Sequence, residues 1–595
     1  MRAEITKIES LPRFNEGDVL FLDTETTGLN YMKDKPFMFQ VGWGAGKFAV
    51  TDVEKMVKWL NENLTRAKIV VGHNVKYDMH MCANAGVDNN AIFNSRWHCT
   101  TVGEFLVDDH QKSYHLEELC QSHFGLRKED KALLEWLAAK FGGEPTRKAQ
   151  MKHIVHAPRD MVAYYGIGDV KCVEMLYNRQ MEEYTQQDLW KVSELERKTT
   201  RALWWTERIG VPIDMERLEK SEKGLKRMWV KVQEEINNLV GRPTNVKSNK
   251  DLLYAFDHLG LECAMSASGN GKFDKDTLKA IDHPLCKQIL KLRSIRVMIE
   301  TFIDTIRSHA HDDGRIHCNL NQTKTEDYGV KTGRLSASDP NLQQIPKRND
   351  EFASLIRSLF VAVSGMKWFR ADWSQFEFRM FAHYTKSPAL IEKFKQDKTI
   401  DYHQAVADLT GLIRDPHAKQ LNLGLVFGMG EGLMAMKCGL PYRIEIVYGK
   451  EVKRAGDEAK KIFNTYHQTL PEVRQMLLTA ERKAKAVGFV RTLFGRKLRF
   501  PNRYGCHKAA GYVFQGSSAD MMKKKCCELV EASYGTDVQF MLPVHDEFNL
   551  LGPIDAENEI KEVMASILED CPEMRVPVYA DIGMGDDWWQ ATKGA

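Results

Sequence analysis

Residues 372–379 read D-W-S-Q-F-E-F-R, directly after an apolar stretch that contains Trp368 and Phe369. An apolar run that ends in an acid and a polar pair predicts a buried strand with Asp372 at its tip. Farther along, V-H-D-E at 544–547 follows Phe540–Val544 and sets Asp546 in a turn after a second strand. Two carboxylates at strand ends, far apart in sequence, would on converging suit a pair of hard divalent cations. In such a site one metal lowers the pKa of an attacking hydroxyl, and the other neutralises a triphosphate and its leaving pyrophosphate.

Two further blocks work outward from these. R-D-P-H-A-K-Q-L-N-L-G-L-V-F-G-M spans 414–429. Asp415 and Pro416 predict a helix start, as N-cap and first helical residue. Lys419, Leu423 and Phe427 then share one face. That pattern is the edge of an ordinary amphipathic helix, and it is also what a triphosphate and a base pair require. Lys419 would neutralise developing charge or donate a proton. T-G-R-L-S-A-S-D-P-N-L-Q-Q-I-P at 332–346 reads as a surface loop, in which Arg334 and Gln343 offer donors suited to base edges and sugars in a minor groove.

The N-terminal part carries a separate acidic set. D-T-E-T-T-G-L begins at Asp23, at the end of an apolar strand over 18–26. Asp23 and Glu25 alternate along that strand and project to one side. G-H-N-V-K-Y-D follows a short buried strand at 69–72 and places Asn74 and Asp78 at helical spacing; Y-G-I-G-D does the same for Tyr165 and Asp169. A lone D-x-E at a strand end is usually a turn or a cap. Three such pieces in order, within one domain-sized stretch, bring four oxygen-donor carboxylates together, enough for two cations that activate water against a phosphodiester. Tyr165 could position the water or the scissile phosphate.

Composition sets the limits. The 595 residues leave room for several domains. Hydrophobic residues at 43% and charged residues at 28% are those of a soluble globular chain. No apolar run approaches the about 20 residues that cross a bilayer. The net charge of +3 does not announce nucleic acid, but a basic groove and an acidic metal site cancel in the sum. The 12 cysteines form no C-x-x-C pair, which argues against a zinc site or disulfide framework and for a reducing compartment. No signal peptide is seen, since a strand-like run arrives at Val19. Strand signals mix with helices to about 190; 191–310 turns helical and charge-rich; helices dominate about 386–486; and 488–500 reads strand, turn, strand.

The four C-terminal blocks, in their order, resemble family A DNA polymerases, the bacterial DNA polymerase I type. G-F-V-R-T-L-F-G-R at 488–496, Q-G-S-S-A-D at 515–520, D-Y-H at 401–403 and G-D-D-W-W at 585–589 extend the likeness. The N-terminal pieces resemble the tyrosine-bearing branch of the DEDD 3′→5′ exonucleases. The resemblance implies a mixed α/β chain: a ribonuclease H-like exonuclease domain over 1–190, then a right-hand polymerase over 191–595. The thumb would span about 215–311, the palm about 312–385 and 486–595, and the fingers about 386–485. It implies Asp23, Glu25, Asp78 and Asp169 as exonuclease metal ligands with Tyr165 placing the nucleophile, and Asp372 and Asp546 as polymerase ligands. Glu377 becomes a steric gate against a ribose 2′-hydroxyl. Lys419 and His403 contact triphosphate, and Phe427 sits near the templating base. Arg334, Gln343, Gln515 and His545 touch the primer-template terminus. Arg379 is expected to be a structural partner. Mg²⁺, or Mn²⁺, is the implied cofactor; primer-template DNA and deoxynucleoside triphosphates are the implied ligands. The chain is expected to be monomeric, membrane-free and cytoplasmic (in the bacterial host if phage-encoded), with room for a helicase, primase or processivity partner.

Departures from the family carry their own expectations. Where an arginine usually stands four residues before Lys419, this chain has Asp415, and Arg414 or His417 would reach phosphate instead. Leu423 replaces the usual Phe or Tyr beside the incoming sugar. Lacking a hydroxyl to stand in for a missing 3′-OH contact, it predicts discrimination against dideoxynucleotides. No region resembles a 5′-nuclease domain, as in phage replicative polymerases. The basic run Lys523, Lys524 and Lys525 reads as a solvated helix face first and a template contact second. Trp588 and Trp589 read as packing anchors. A single-subunit RNA polymerase is disfavoured by Glu377 and the exonuclease set. A non-catalytic accessory subunit, or an exonuclease with an inert polymerase half, is disfavoured by the six intact carboxylates.

Overall fold

The computed structural model describes residues 2–127, 130–265, 269–323, 331–347, 350–426, 429–447 and 450–594. The chain forms two compact units: residues 1–209, 319–338 and 371–582 in one, and 210–318, 339–370 and 583–595 in the other.

The first unit opens with a five-stranded sheet. Its strands are β1 (Val19–Thr26), β2 (Pro36–Trp43), β3 (Gly46–Val50), β4 (Ile69–Gly72) and β5 (Trp97–Cys99), in the order β3-β2-β1-β4-β5. The central strand β1 pairs antiparallel with β2, Asp23 opposite Gln40 and Glu25 opposite Met38. On its other edge it runs parallel to β4. Leu20, Phe21 and Leu22 are all buried, as expected of a central strand covered on both faces.

The helix Arg159–Gln187 covers the face to which Phe21 points. Val170, Val173 and Leu176 pack there against Phe21, Ile69 and Val71. Side chains at positions 21, 23 and 25 share that face because the strand period is two. Close approach depends on Gly166: a Cβ there would stand 2.3 Å from the Gln40 amide. A larger residue would force the buried Gln40 side chain aside, so this glycine lets Tyr165 and Asp169 lie over the acidic end of β1.

Next comes the buried helix Trp190–Ile209, followed after residue 319 by the later segments of this unit. The helix Ala509–Ser533 is buried on nearly every face, Lys523 and Lys525 included. The expected solvated basic run is therefore corrected. Lys523 pairs with Glu196 at 2.5 Å, Lys525 with Glu528 at 2.6 Å, and Lys524 with Glu573 at 2.8 Å. Within the stretch expected to be helical, Tyr442–Val447 and Lys450–Ala455 pair as antiparallel strands. The alternation in Y-R-I-E-I-V is a strand pattern that the surrounding helices obscure. The expected strand pair at 488–500 is present, as Phe489–Arg491 against Lys497–Arg499.

In the second unit, Asp214 caps the helix Met215–Val240 by accepting from the Arg217 N–H. Leu218, Leu225, Val232, Ile236 and Val240 line its buried stripe, which packs on the helix Pro284–Val297. Trp588 is fully buried, stacked on Trp368 at 5.7 Å with the Arg357 guanidinium 4.2 Å from its ring, so it is a packing anchor as expected. No helix among the described residues is long and apolar enough to cross a membrane.

His98 of β5 is buried between Gln180 at 3.0 Å and Arg197 at 3.3 Å. Burial, with Arg197 beside it, pushes its pKa down to about 3. The unfolded chain takes up this proton near pH 6.5, whereas the folded one does not, so stability present above that pH is lost as pH falls. Each unit of acidification below the unfolded value costs about 1.4 kcal/mol per such group. Urea unfolding between pH 7 and pH 5 should show a slope that is smaller in His98→Gln by about that amount.

Candidate polymerase and exonuclease sites

The exonuclease candidates gather at the C-terminal end of β1. Glu25 is 7% exposed, Asp78 3% and Asp169 6%, while Asp23 is half-buried. Tyr165 packs into the cluster of Met38, Met161 and Val162. Its pKa is raised first by burial and then by the charges of Asp169, Glu25 and Asp23, so those three carboxylates bear on one hydroxyl. Asp78 lies in the first turn of the helix Val75–Ala85 and accepts from the Thr24 hydroxyl at 2.7 Å. Thr24 stands between Asp23 and Glu25, so that bond ties the fourth carboxylate to the same strand end. Burial pushes the Asp78 pKa up to about 7. Asn74 is the residue before this helix, in left-handed conformation at φ 57°.

Tyr77 was not singled out from the sequence. Its hydroxyl donates to the Gly28 carbonyl at 2.6 Å and lies 3.0 Å from the Thr26 hydroxyl, bracing the turn that follows Glu25. Its position beside Asp78 in the same motif is the signal that could have found it.

The donor set is all oxygen, suited to hard cations. The accumulated negative charge and the buried Asp78 are what a divalent cation would relieve. Among the described residues no three His, Cys, Asp or Glu side chains already meet around one point.

The second candidate site is built on a hairpin. Gln539–Val544 pairs with Glu547–Pro553, with Val544 opposite Glu547. His545 and Asp546 therefore make a two-residue turn, His545 exposed at φ 58° and Asp546 half-buried. Residues 371–373, the end of the strand Met366–Trp373, lie beside it. The Trp373 N–H donates to the Asp546 carbonyl at 3.2 Å, so residues 372 and 546 are neighbours.

The rest of D-W-S-Q-F-E-F-R holds this end in place. Trp373 stacks on Phe376 at 4.0 Å and donates its indole N–H to the Leu568 carbonyl at 3.1 Å. Gln375 accepts from the Tyr402 N–H at 2.8 Å and so orients the D-Y-H helix. Arg379, fully buried, donates to the carbonyls of Ser374 at 2.7 Å, Pro577 at 2.6 Å and Lys398, as expected of a structural partner. Glu377, by contrast, is half-exposed and ion-paired with Arg334. Glu547, directly after Asp546, is 1% exposed and accepts from Asn549 at 3.2 Å. It was given no role from sequence; a carboxylate at an inward position of an apolar strand was the missed signal.

Two cations, Arg414 and Lys419, meet two aspartates beside His403. Arg414 pairs with Asp401 and Asp415, and Lys419 with Asp415 at 3.2 Å. Asp401 also caps its helix by accepting from the His403 N–H at 2.8 Å. The His403 ring lies 3.1 Å from Asn422, which accepts from the Tyr466 hydroxyl at 3.0 Å. Burial lowers the His403 pKa, and Arg414 and Lys419 add to the effect, so the three stand within electrostatic reach of each other. The expected helix start is corrected: Asp415 has extended backbone inside a wide turn over Arg414–Ala418, and regular helix begins at Lys419. The Asp415 carboxylate is drawn to Arg414 and Lys419. His417 lies in that same turn. Gln515 is half-buried on the helix Ala509–Ser533. Gln343 belongs to the second unit, in the short turn Leu342–Gln344, and is 8% exposed. Phe427 and the Leu423 side chain lie outside the described residues.

The sequence profile of DNA polymerase family A matches residues 215–590. The chain belongs to DNA polymerase family A. A 3′-5′ exonuclease profile matches residues 5–182. It is thus a DNA-directed DNA polymerase with an N-terminal 3′-5′ exonuclease domain, of two families that use divalent metals. DNA polymerase DpoZ of Salmonella phage PMBT28 is 34% identical over 98% of this chain and 98% of its own length. DNA polymerase DpoZ of Vibrio phage phiVC8 is 31% identical over 96% of each. The thermostable DNA polymerase I of Thermus filiformis is 30% identical over 77% of this chain and 53% of its own. The POL domain of Pol1 from M. smegmatis, in complex with DNA primer-template and dNTP, shares the fold: its TM-score is 0.77 at 22% identity, over 97% of this chain and 96% of that one.

Proposed function

We propose that this polymerase works through two carboxylate sites, Asp372 with Asp546 for nucleotide addition and Asp23, Glu25, Asp78 and Asp169 for removal of mispaired 3′ ends. The hydrogen bond from the Trp373 N–H to the Asp546 carbonyl carries the first assignment, because it makes neighbours of two acids from distant segments. Bound cations, Mg²⁺ by the hardness of the donors, would activate the attacking oxygen and neutralise the leaving one. Lys419, Arg414 and His403 bind the triphosphate, the first two exchanging Asp415 and Asp401 for phosphate oxygens. Leu423 and Phe427 border the incoming sugar and the templating base. Arg334, Gln343, Gln515 and His545 contact the primer-template terminus. Tyr165 orients the water or the scissile phosphate in the editing site.

In this reading residues 1–190 are the editing domain and 191–595 the hand, with thumb, palm and fingers as the sequence predicts. The ligands are primer-template DNA and deoxynucleoside triphosphates, the chain acts as a monomer, and a helicase, primase or processivity factor can join it. Phage relatives over nearly the full length favour a role in replication within a bacterial host's cytoplasm. Primer extension tests the reading. With all four deoxynucleotides a matched primer should lengthen; without them it should shorten, and faster from a mismatched end. A chain that degrades without extending, or extends without degrading, overturns one of the two assignments.

Glu377 fills the space beside the incoming sugar. Glu377→Ala should raise ribonucleotide incorporation by roughly ten- to hundredfold, the range one group commands in a tight pocket. Competition between ribo- and deoxynucleotides in single-nucleotide extension measures it.

A further inference from the structure

Beneath the polymerase segments of the first unit lies a buried charge network that the reading above leaves without a role. Arg496, 2% exposed, donates from Nε to Asp520 at 2.8 Å and from Nη2 to Asp520 at 2.6 Å and to Glu196. Lys523 also donates to Glu196, and Gln322 does so at 2.6 Å. Thr492 donates to the other Asp520 oxygen at 2.6 Å and accepts from the Arg496 N–H at 3.0 Å. Two cations and two carboxylates are thus fully removed from water. Such a cluster is seldom the most stabilising way to fill a core, since well-packed apolar groups usually do as well or better. Its hydrogen bonds do fix geometry: Asp520 is held from both oxygens, and Arg496 through two of its nitrogens.

Two glycines rest on this cluster, and each adjoins a residue read as a contact to DNA. Gly333, at φ 82°, precedes Arg334; a Cβ there would lie 2.9 Å from the Arg496 Cζ and Nε and 3.2 Å from Nη1. Nη1 has no hydrogen-bond partner among the described residues. Gly516 follows Gln515; a Cβ there would lie 2.7 Å from Thr492 Cγ2 and 3.4 Å from the Thr332 carbonyl. The backbones that carry Arg334 and Gln515 are therefore seated on Arg496 and Thr492 with no slack.

We propose that Arg496 is a positioning residue of the polymerase reaction: pinned by Asp520 and Glu196, it seats the Arg334 loop and, through Thr492, the helical turn of Gln515, so that both donors meet the primer terminus at one spacing. A mismatched terminus displaces minor-groove acceptors, and donors held at fixed spacing cannot follow. The inference rests on the reading of Arg334 and Gln515 as terminus contacts.

Arg496→Lys keeps the charge and loses the planar fork. Thr492→Val keeps the shape under Gly516 and loses the hydroxyl. Extension is measured from matched and mismatched primers ending in a phosphorothioate linkage, which resists excision. In both variants the matched-over-mismatched ratio of kcat/KM should fall about tenfold, the scale of one hydrogen bond to a charged group. The change should arise mainly in KM for primer-template, with degradation of single-stranded DNA unchanged. An unchanged ratio overturns the proposal, as does a parallel loss of both activities with a lowered Tm, which marks a merely structural role. Arg334→Ala separates the two levels. If it leaves the ratio unchanged, the reading of Arg334 fails and the proposal with it. If it lowers the ratio while both other variants do not, the positioning role alone fails.

Discussion

Asp546→Ala should abolish nucleotide addition and leave 3′→5′ degradation intact. The loss should exceed about a thousandfold, since a bound cation supplies several kcal/mol of charge stabilisation to phosphoryl transfer. Folding should survive. The contact that joins this turn to its neighbour strand runs from the Trp373 N–H to the Asp546 backbone carbonyl, which alanine keeps. The side chain itself is half-buried at a hairpin tip, where its removal leaves no cavity. Extension of a labelled primer, beside shortening of the same primer without nucleotides, measures both activities in one preparation. Loss of both in a folded chain would mean that residues 372 and 546 do not form a separate site.

The converse change is Asp23→Ala with Glu25→Ala. Degradation should fall by a similar factor, about a thousandfold or more, and extension should persist. The two residues occupy one face of β1 beneath Tyr165, and β1 is held by backbone pairing to β2 and β4 that does not involve their side chains. Glu25 is nearly buried, so its removal also relieves charge crowding, and Tm should not fall. The Tyr165 hydroxyl should become easier to ionise, since two of the charges that hold its proton are gone. Ultraviolet titration of the tyrosines checks this independently of activity.

Much of this was legible along the chain. Strand β1, strand β4 and the strand that ends at Trp373 are each announced by an apolar run closed by polar residues, and Asp23, Glu25 and Asp372 fall near the ends of the first and the third. Tyr165 and Asp169 share a helical face because the helix Arg159–Gln187 runs through both. Period and punctuation are local properties, and local properties are written in order. The strand pair Tyr442–Val447 with Lys450–Ala455 is equally local in its alternation, but helices on both sides dominate the window.

Other features could not be read in that way. A run of three lysines looks alike whether it faces water or a core; only the elements around Ala509–Ser533 decide that Lys523 and Lys525 are buried and paired. Arg414 pairs within its motif with Asp415, and Asp401 reaches it from another helix. Gly166, Gly333 and Gly516 read as ordinary glycines until Gln40, Arg496 and Thr492 arrive against them. Sequence by itself determined which acids end which strands, since backbone periodicity needs no distant partner. Tertiary structure alone decided what each charge faces once water is excluded, because that depends on segments hundreds of residues away.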